Sequence, residues 1–256
     1  MLRARFVAAI TLLAGGLAHA HVQPSVDDNN RYIKLTPLGD RVRIAYTILY
    51  GEIPGARERA RIDTDHDGVI SEAEAGAFAN RIAGEVAAAL QLDIDGAARK
   101  VAWDETTMSV GTPQVAAGTF AVDLVMYACL PGARGRHRVG LRDNFRVPSP
   151  GEVEVLIEDV PGVTIERAHV GAVDDPTHDL WLPPPGAGLA DDGLELVFVA
   201  GDRAPIAGGC AAAAPAGGTR VWPYVVAAAG AAVAVALALA LRRRAKRNMM
   251  RGSAAS

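Results

Sequence analysis

Residues 63–74 read Asp63-Thr64-Asp65-His66-Asp67-Gly68-Val69-Ile70-Ser71-Glu72-Ala73-Glu74, with three aspartates at alternate positions, a glycine after the third and a glutamate in the twelfth place. Nothing else in the chain so narrows what can form. Carboxylates brought into one small space repel one another on the order of a few kcal/mol at intermediate dielectric, so the segment is either an open solvated turn or a loop that closes around a cation. The flanks favour the second. Pro54 opens a helical stretch, Ala56 to Ile62, and after the loop Phe78, Ile82, Val86 and Leu90 recur at helical spacing. A helix–loop–helix over about residues 54–90 is predicted, with Gly68 permitting the sharp turn and Ile70 anchoring the loop to a core or to a partner loop.

The pattern D-x-[DN]-x-[DN]-G-x5-E is met at every defined position, and the segment resembles the EF-hand calcium-binding loop. Ca²⁺ is a hard cation that takes six to eight oxygens. The expected ligands are the carboxylates of Asp63, Asp65 and Asp67, the Val69 carbonyl, Ser71 through water, and both oxygens of Glu74. His66 falls at a non-ligand position and is expected to face solvent. EF-hands usually pair, and no second loop is found: Asp93-Ile94-Asp95-Gly96 lacks the spacing and the closing glutamate. A lone hand outside the cell implies a structural site, with a dissociation constant of order 10⁻⁴ to 10⁻³ M, as in other extracellular modules.

Elsewhere the period is two. Arg31 to Tyr50 reads as a β-hairpin turning at Leu38-Gly39-Asp40, and Phe120, Val122, Leu124 and Met126 share one face. Glu152 to Val155 alternates after Pro148-Ser149-Pro150, and Val163 to Ile165 and Leu194 to Val199 read as further strands. The expected fold class is α+β: an antiparallel sheet or sandwich of roughly six to eight strands, carrying one inserted helix–loop–helix.

The ends of the chain have a different character. Arg3 and Arg5, the apolar run Phe6 to Leu13 and the small residues to Ala20 fit a cleavable leader, residues 1–20, which would leave His21 first in the mature chain. Tyr224 to Leu241 carries no charge, Trp222 and Tyr224 sit as interfacial aromatics, and five basic residues follow between Arg242 and Arg247. One transmembrane helix over residues 222–241 is expected, with the tail 242–256 inside and the domain outside. The leader holds two and the tail six of the 26 basic residues, which leaves 18 basic against 29 acidic residues between them, a net of −11. That balance argues against a nucleic-acid partner and suits divalent cations or solubility. The exported domain is expected over residues 21–203, followed by an Ala/Gly/Pro-rich stalk, 204–221. Cys129 and Cys210 both fall in the exported part, where an oxidising compartment would let them pair.

Asn30-Arg31-Tyr32, Gly39-Asp40-Arg41-Val42, Tyr46, Glu52-Ile53-Pro54 and the acidic loop together resemble the outward-facing N-terminal domain of bacterial nickel/cobalt permeases, over about residues 20–92. In that family a polytopic transporter follows, whereas one span follows here. The resemblance implies metal handling in the envelope beside a separately encoded permease, and not transport itself. An N-terminal His21 would be able to chelate Cu(II) or Ni(II), with His169 or His178 as further candidate ligands. His178 with Asp174, Asp175 and Asp179 is the weakest candidate centre, since no spacing singles it out. No nucleophile–base pair, H-E-x-x-H or glycine-rich phosphate loop occurs, so binding is expected and catalysis is not.

Overall fold

The computed structural model of the chain describes residues 26–210. The expected leader, His21, the span 222–241 and the basic tail lie outside the described residues. Among the described residues no helix is long and apolar enough to cross a membrane.

The alternation around residue 40 forms the expected hairpin. Strand β1 (Asn29–Pro37) pairs antiparallel with β2 (Arg41–Tyr50), Leu35 lying opposite Ile44. Side chains of a strand alternate between its faces, so Ile33, Leu35, Val42, Ile44, Tyr46 and Ile48 all enter the core. Past Tyr50 the period changes and the chain forms helices α1 (Glu52–Ile62) and α2 (Glu72–Ala89). Pro54 lies in the first turn of α1, where a missing N–H costs no intrahelical bond. Phe78, Ile82 and Val86 are the buried stripe of α2. Leu90 is buried as well, although it opens the next strand.

The chain continues as β3 (Leu90–Ile94), β4 (Ala97–Arg99), β5 (Glu105–Ser109), a 3-10 turn (Val115–Ala117), β6 (Phe120–Cys129), β7 (Gly135–Asp143), β8 (Pro150–Ile157), β9 (Val163–Val170), β10 (Val173–Asp174), β11 (Asp179–Leu182), helix α3 (Ala187–Asp191) and β12 (Leu194–Ala200). They make two six-stranded sheets, ordered β11-β8-β1-β2-β6-β5 and β10-β9-β12-β7-β3-β4. Buried residues of both sheets and of α2 form one apolar cluster. α1 and α2 carry the chain from the first sheet into the second.

Two features differ from the expectation. The first sheet is not purely antiparallel, because β1 and β8 run parallel, with Ile33 opposite Val155. The twelve strands among the described residues also outnumber the expected six to eight, and three of them, β4, β5 and β10, contain no buried residue and so carry no apolar alternation to be read. The segment from Ala204 to Cys210 is held against the β1–β2 turn. Gly39 N–H donates to the Pro205 carbonyl at 2.7 Å, and the Asp40 carboxylate accepts from the amides of Ala207 and Gly208 at 3.1 and 3.0 Å. Cys210 is joined to Cys129 by a disulfide, their Cα atoms 5.6 Å apart.

The core contains one ion pair that bridges the sheets. Arg31 of β1 meets Asp143 of β7, the two side chains being 4% and 0% exposed. Tyr46 Oη donates to the same carboxylate oxygen at 2.8 Å, the Phe145 amide donates to the other at 2.8 Å, and the carbonyls of Phe145 and Pro185 accept from two further guanidinium N–H groups. Burial nevertheless raises the Asp143 pKa, against the opposing pull of Arg31. Removing one member of such a pair leaves a buried, uncompensated charge. Arg31→Met is therefore expected to lower the unfolding free energy by about 3–5 kcal/mol, with Arg31→Met/Asp143→Leu recovering part of the loss. Urea unfolding measures both, and a single variant within about 1 kcal/mol of wild type would show that the pair contributes no more than a surface one.

Candidate metal centre

α1 ends at Ile62, and Asp63, still bonded through its amide to the Arg59 carbonyl at 3.0 Å, caps it and opens the acidic loop. From there the backbone curls back on the aspartate side chains. Asp63 accepts from the amides of Asp67 and Gly68 at 3.2 and 3.0 Å, Asp65 accepts from the Asp67 amide at 3.2 Å, and Asp67 accepts from the Val69 amide at 2.8 Å. Aspartate favours such local side-chain-to-backbone turns. Gly68 stands at φ +83° with open space around the position of a Cβ, so the left-handed backbone is what demands glycine there. His66 also has a positive φ, of 60°, and is exposed as expected.

The result gathers Asp63, Asp65 and Asp67 with their ligand oxygens all within 4.8 Å of one another, the first buried and the other two exposed. An all-oxygen donor set from one turn fits a hard divalent cation. Val69 and Ser71 follow in the same loop. Glu74 is not one of the carboxylates that converge. Its Oε1 accepts from the Thr64 amide and hydroxyl at 2.6 and 2.8 Å, and its Oε2 accepts from the Ser71 amide and hydroxyl at 3.0 and 2.8 Å. Ser71 is the N-cap of α2, and Ser71 with Glu74 makes a capping box. Glu74 thus spans the loop from its second position to its ninth. The S-x-x-E spacing was visible in the sequence and reads equally well as a helix start, a second meaning of Glu74 that the ligand pattern obscured.

The bonds from Ser71 and Thr64 hold the Glu74 carboxyl down at about 2, below its ordinary 4.5. A depressed folded-state pKa gives a contribution that is complete above the unfolded value and is lost as pH falls toward the folded one. Glu74→Ala is therefore expected to flatten the decline in melting temperature between about pH 4.5 and pH 2, and thermal melts across that interval test it. An unchanged acid limb would mean that Glu74 is not bonded as described.

The loop is held from outside by a side chain whose importance its sequence position did not reveal. Arg59 of α1 is 0% exposed. Among the described residues it meets no carboxylate. Its guanidinium donates instead to five carbonyls of residues 110–119: Val110, Thr112, Gln114, Gly118 and Thr119. It also lies 5.6 Å over the Phe120 ring, which stacks on Tyr50 at 4.3 Å. Gly55, one turn earlier, is required by close approach, since a Cβ there would lie 2.5 Å from the Gly118 carbonyl oxygen.

The other candidate ligands do not come together. Among the described residues only Asp63, Asp65 and Asp67 form a group of three or more His, Cys, Asp or Glu able to share an ion. His169 pairs in register with Asp174 across β9 and β10, and His178 stands 3.9 Å from Asp159, whose side chain is 90% exposed. Asp179 instead meets Glu154 on the neighbouring strand β8. Burial first, then repulsion from the Asp179 carboxylate and a hydrogen bond that the protonated Glu154 donates to it, push the Glu154 carboxyl up to about 7. The folded chain then holds a proton that the unfolded chain releases near 4.5, so stability falls as pH rises from about 4.5 to about 7. Glu154→Gln is expected to raise the melting temperature at pH 8 and to leave it nearly unchanged at pH 4; equal shifts at both values would refute the raised Glu154 pKa.

No protein-family model matches the chain, and no curated protein matches it.

Proposed function

We propose that the chain is a calcium-binding protein of the cell envelope, in which residues 63–74 act as a single EF-hand. The observation that carries this reading is the convergence of Asp63, Asp65 and Asp67. Val69 through its carbonyl, Ser71 through water and Glu74 complete the proposed ligand set. Bound Ca²⁺ would supply charge neutralisation, allowing the three aspartates to stay close while α1 and α2 leave the loop in a fixed relation. The role is binding and rigidification, with no turnover.

Donor chemistry also ranks the alternatives. Nickel, cobalt and copper favour imidazole or thiolate ligands, and the converging groups are all carboxylates. A transition-metal accessory to a separate permease, as the likeness to nickel/cobalt permease domains implies, therefore stands second, with His21 as its candidate ligand. An outward-facing location is supported by the Cys129–Cys210 disulfide, which persists in oxidising compartments, and by the leader-like and span-like ends of the sequence. The partners proposed are the ion, the membrane through one span, and another envelope protein.

Calorimetric titration of the full chain with Ca²⁺, Ni²⁺ and Cu²⁺ tests this. One calcium per chain is expected, with a dissociation constant of roughly 10⁻⁴ to 10⁻³ M. Binding should vanish in Asp65→Ala, which removes an exposed carboxylate and leaves the core intact. Heat from Ni²⁺ or Cu²⁺ alone would discard the calcium site and promote the permease accessory.

A further inference from the structure

EF-hand loops ordinarily face a second loop, and this sequence has none. The acidic loop nonetheless has a pairing partner. The Ile70 amide donates to the Pro113 carbonyl at 2.8 Å, the Val115 amide donates to the Gly68 carbonyl at 3.0 Å, and Val69 and Gln114 form an antiparallel bridge between those two bonds. The segment that supplies the partner residues contains no acidic side chain from Val110 to Thr119. It is fixed from behind by the five carbonyl bonds of buried Arg59, a residue of the helix that leads into the same loop. The close approach of Gly55 to Gly118 seats it on α1.

We propose that residues 110–119 are a built-in, metal-free counterpart of the acidic loop, which takes the place of a second hand and couples cation binding at residues 63–74 to the β5–β6 connection. The proposal rests on the calcium reading above. Val69, whose carbonyl is a proposed ligand, is itself the bridged residue, so a cation drawing in that carbonyl acts on a backbone already paired with Gln114. Because the counterpart binds no ion, the site titrates alone, and occupancy is reported within the same chain as tighter pairing at Ile70 and Val115.

The test uses calcium titrations and amide hydrogen exchange on the full chain, comparing wild type with Val115→Pro and Val115→Ala. Proline deletes the Val115 donor. It is tolerable at the first position of a 3-10 turn, and Gln114 before it, at φ −62° and ψ 132°, already has the backbone that a residue preceding proline prefers. Alanine keeps the donor. Expected are a Hill coefficient near one, calcium affinity weakened about fivefold in Val115→Pro, as loss of one backbone bond implies, affinity unchanged in Val115→Ala, and slower exchange at Ile70 and Val115 in calcium-loaded wild type. Wild-type affinity in Val115→Pro, or Val115 exchange in wild type indifferent to saturating Ca²⁺, would overturn the coupling while leaving the calcium site standing. Absence of calcium binding in wild type would remove the site itself and the coupling with it.

Discussion

Burying a guanidinium and a carboxylate together costs more desolvation than their attraction returns unless every remaining donor and acceptor is met. Arg31 and Asp143 approach that condition with contributions from both sheets. Arg31 and Tyr46 come from the first, Asp143 from the second, and backbone groups of Phe145 and Pro185 complete the set. An apolar cluster alone would allow the sheets several near-equivalent dockings, because dispersion and burial have little directional preference. The polar cluster is directional, since its hydrogen bonds hold only where Arg31, Tyr46 and Asp143 meet. It ties β1 and β2 to the end of β7, and β3, which follows the two helices, lies in register with β7 from Leu90 to Ile94. The helix–loop–helix is thereby held at both of its ends by a frame whose relative placement is specified.

Arg59 meets the same cost differently. With five carbonyls and an aromatic face it needs no counter-ion, so an entire irregular segment is ordered around one side chain. Irregular backbone has no ladder of its own to satisfy its carbonyls, and the guanidinium fork supplies a donor to several at once. The acidic loop, for its part, uses its own amides to solvate its aspartates and uses Thr64 and Ser71 to hold Glu74. Both devices tie the loop to its own backbone and to residues 110–119 through hydrogen bonds.

Local pattern made some of this legible. The hairpin around Leu38-Gly39-Asp40, the helical stripe of Phe78, Ile82 and Val86, the face shared by Phe120, Val122, Leu124 and Met126, and the Cys129–Cys210 pairing all rest on periodicity or composition that a single chain displays. The three converging aspartates were legible for the same reason, since the loop that gathers them is contiguous. What escaped was non-local. The parallel pairing of β1 with β8 joins residues more than a hundred positions apart, and nothing in Ile33 or Val155 names the other. Arg59 is one of three arginines in α1, with Arg57 and Arg61, and only the fold brings residues 110–119 over it. Glu154 and Asp179 belong to ordinary alternating strands, and their closeness arises from a register that the sequence does not write down.

The disulfide gives the molecule a defined load path. Tension applied at Cys210 is carried both by Cys129, across a sequence separation of 81 residues and into one end of β6, and by the backbone of residues 205–208 bonded to the β1–β2 turn. β6 is zipped to β2 over ten residue pairs, from Arg41 opposite Cys129 to Tyr50 opposite Phe120, a length of roughly 30 Å. Force along that axis is shared among parallel hydrogen bonds in shear, and the acidic loop lies beyond the far end of β2, past Tyr50. Pulling at the Cys210 corner therefore loads the end of β2 opposite to the one that leads into the acidic loop.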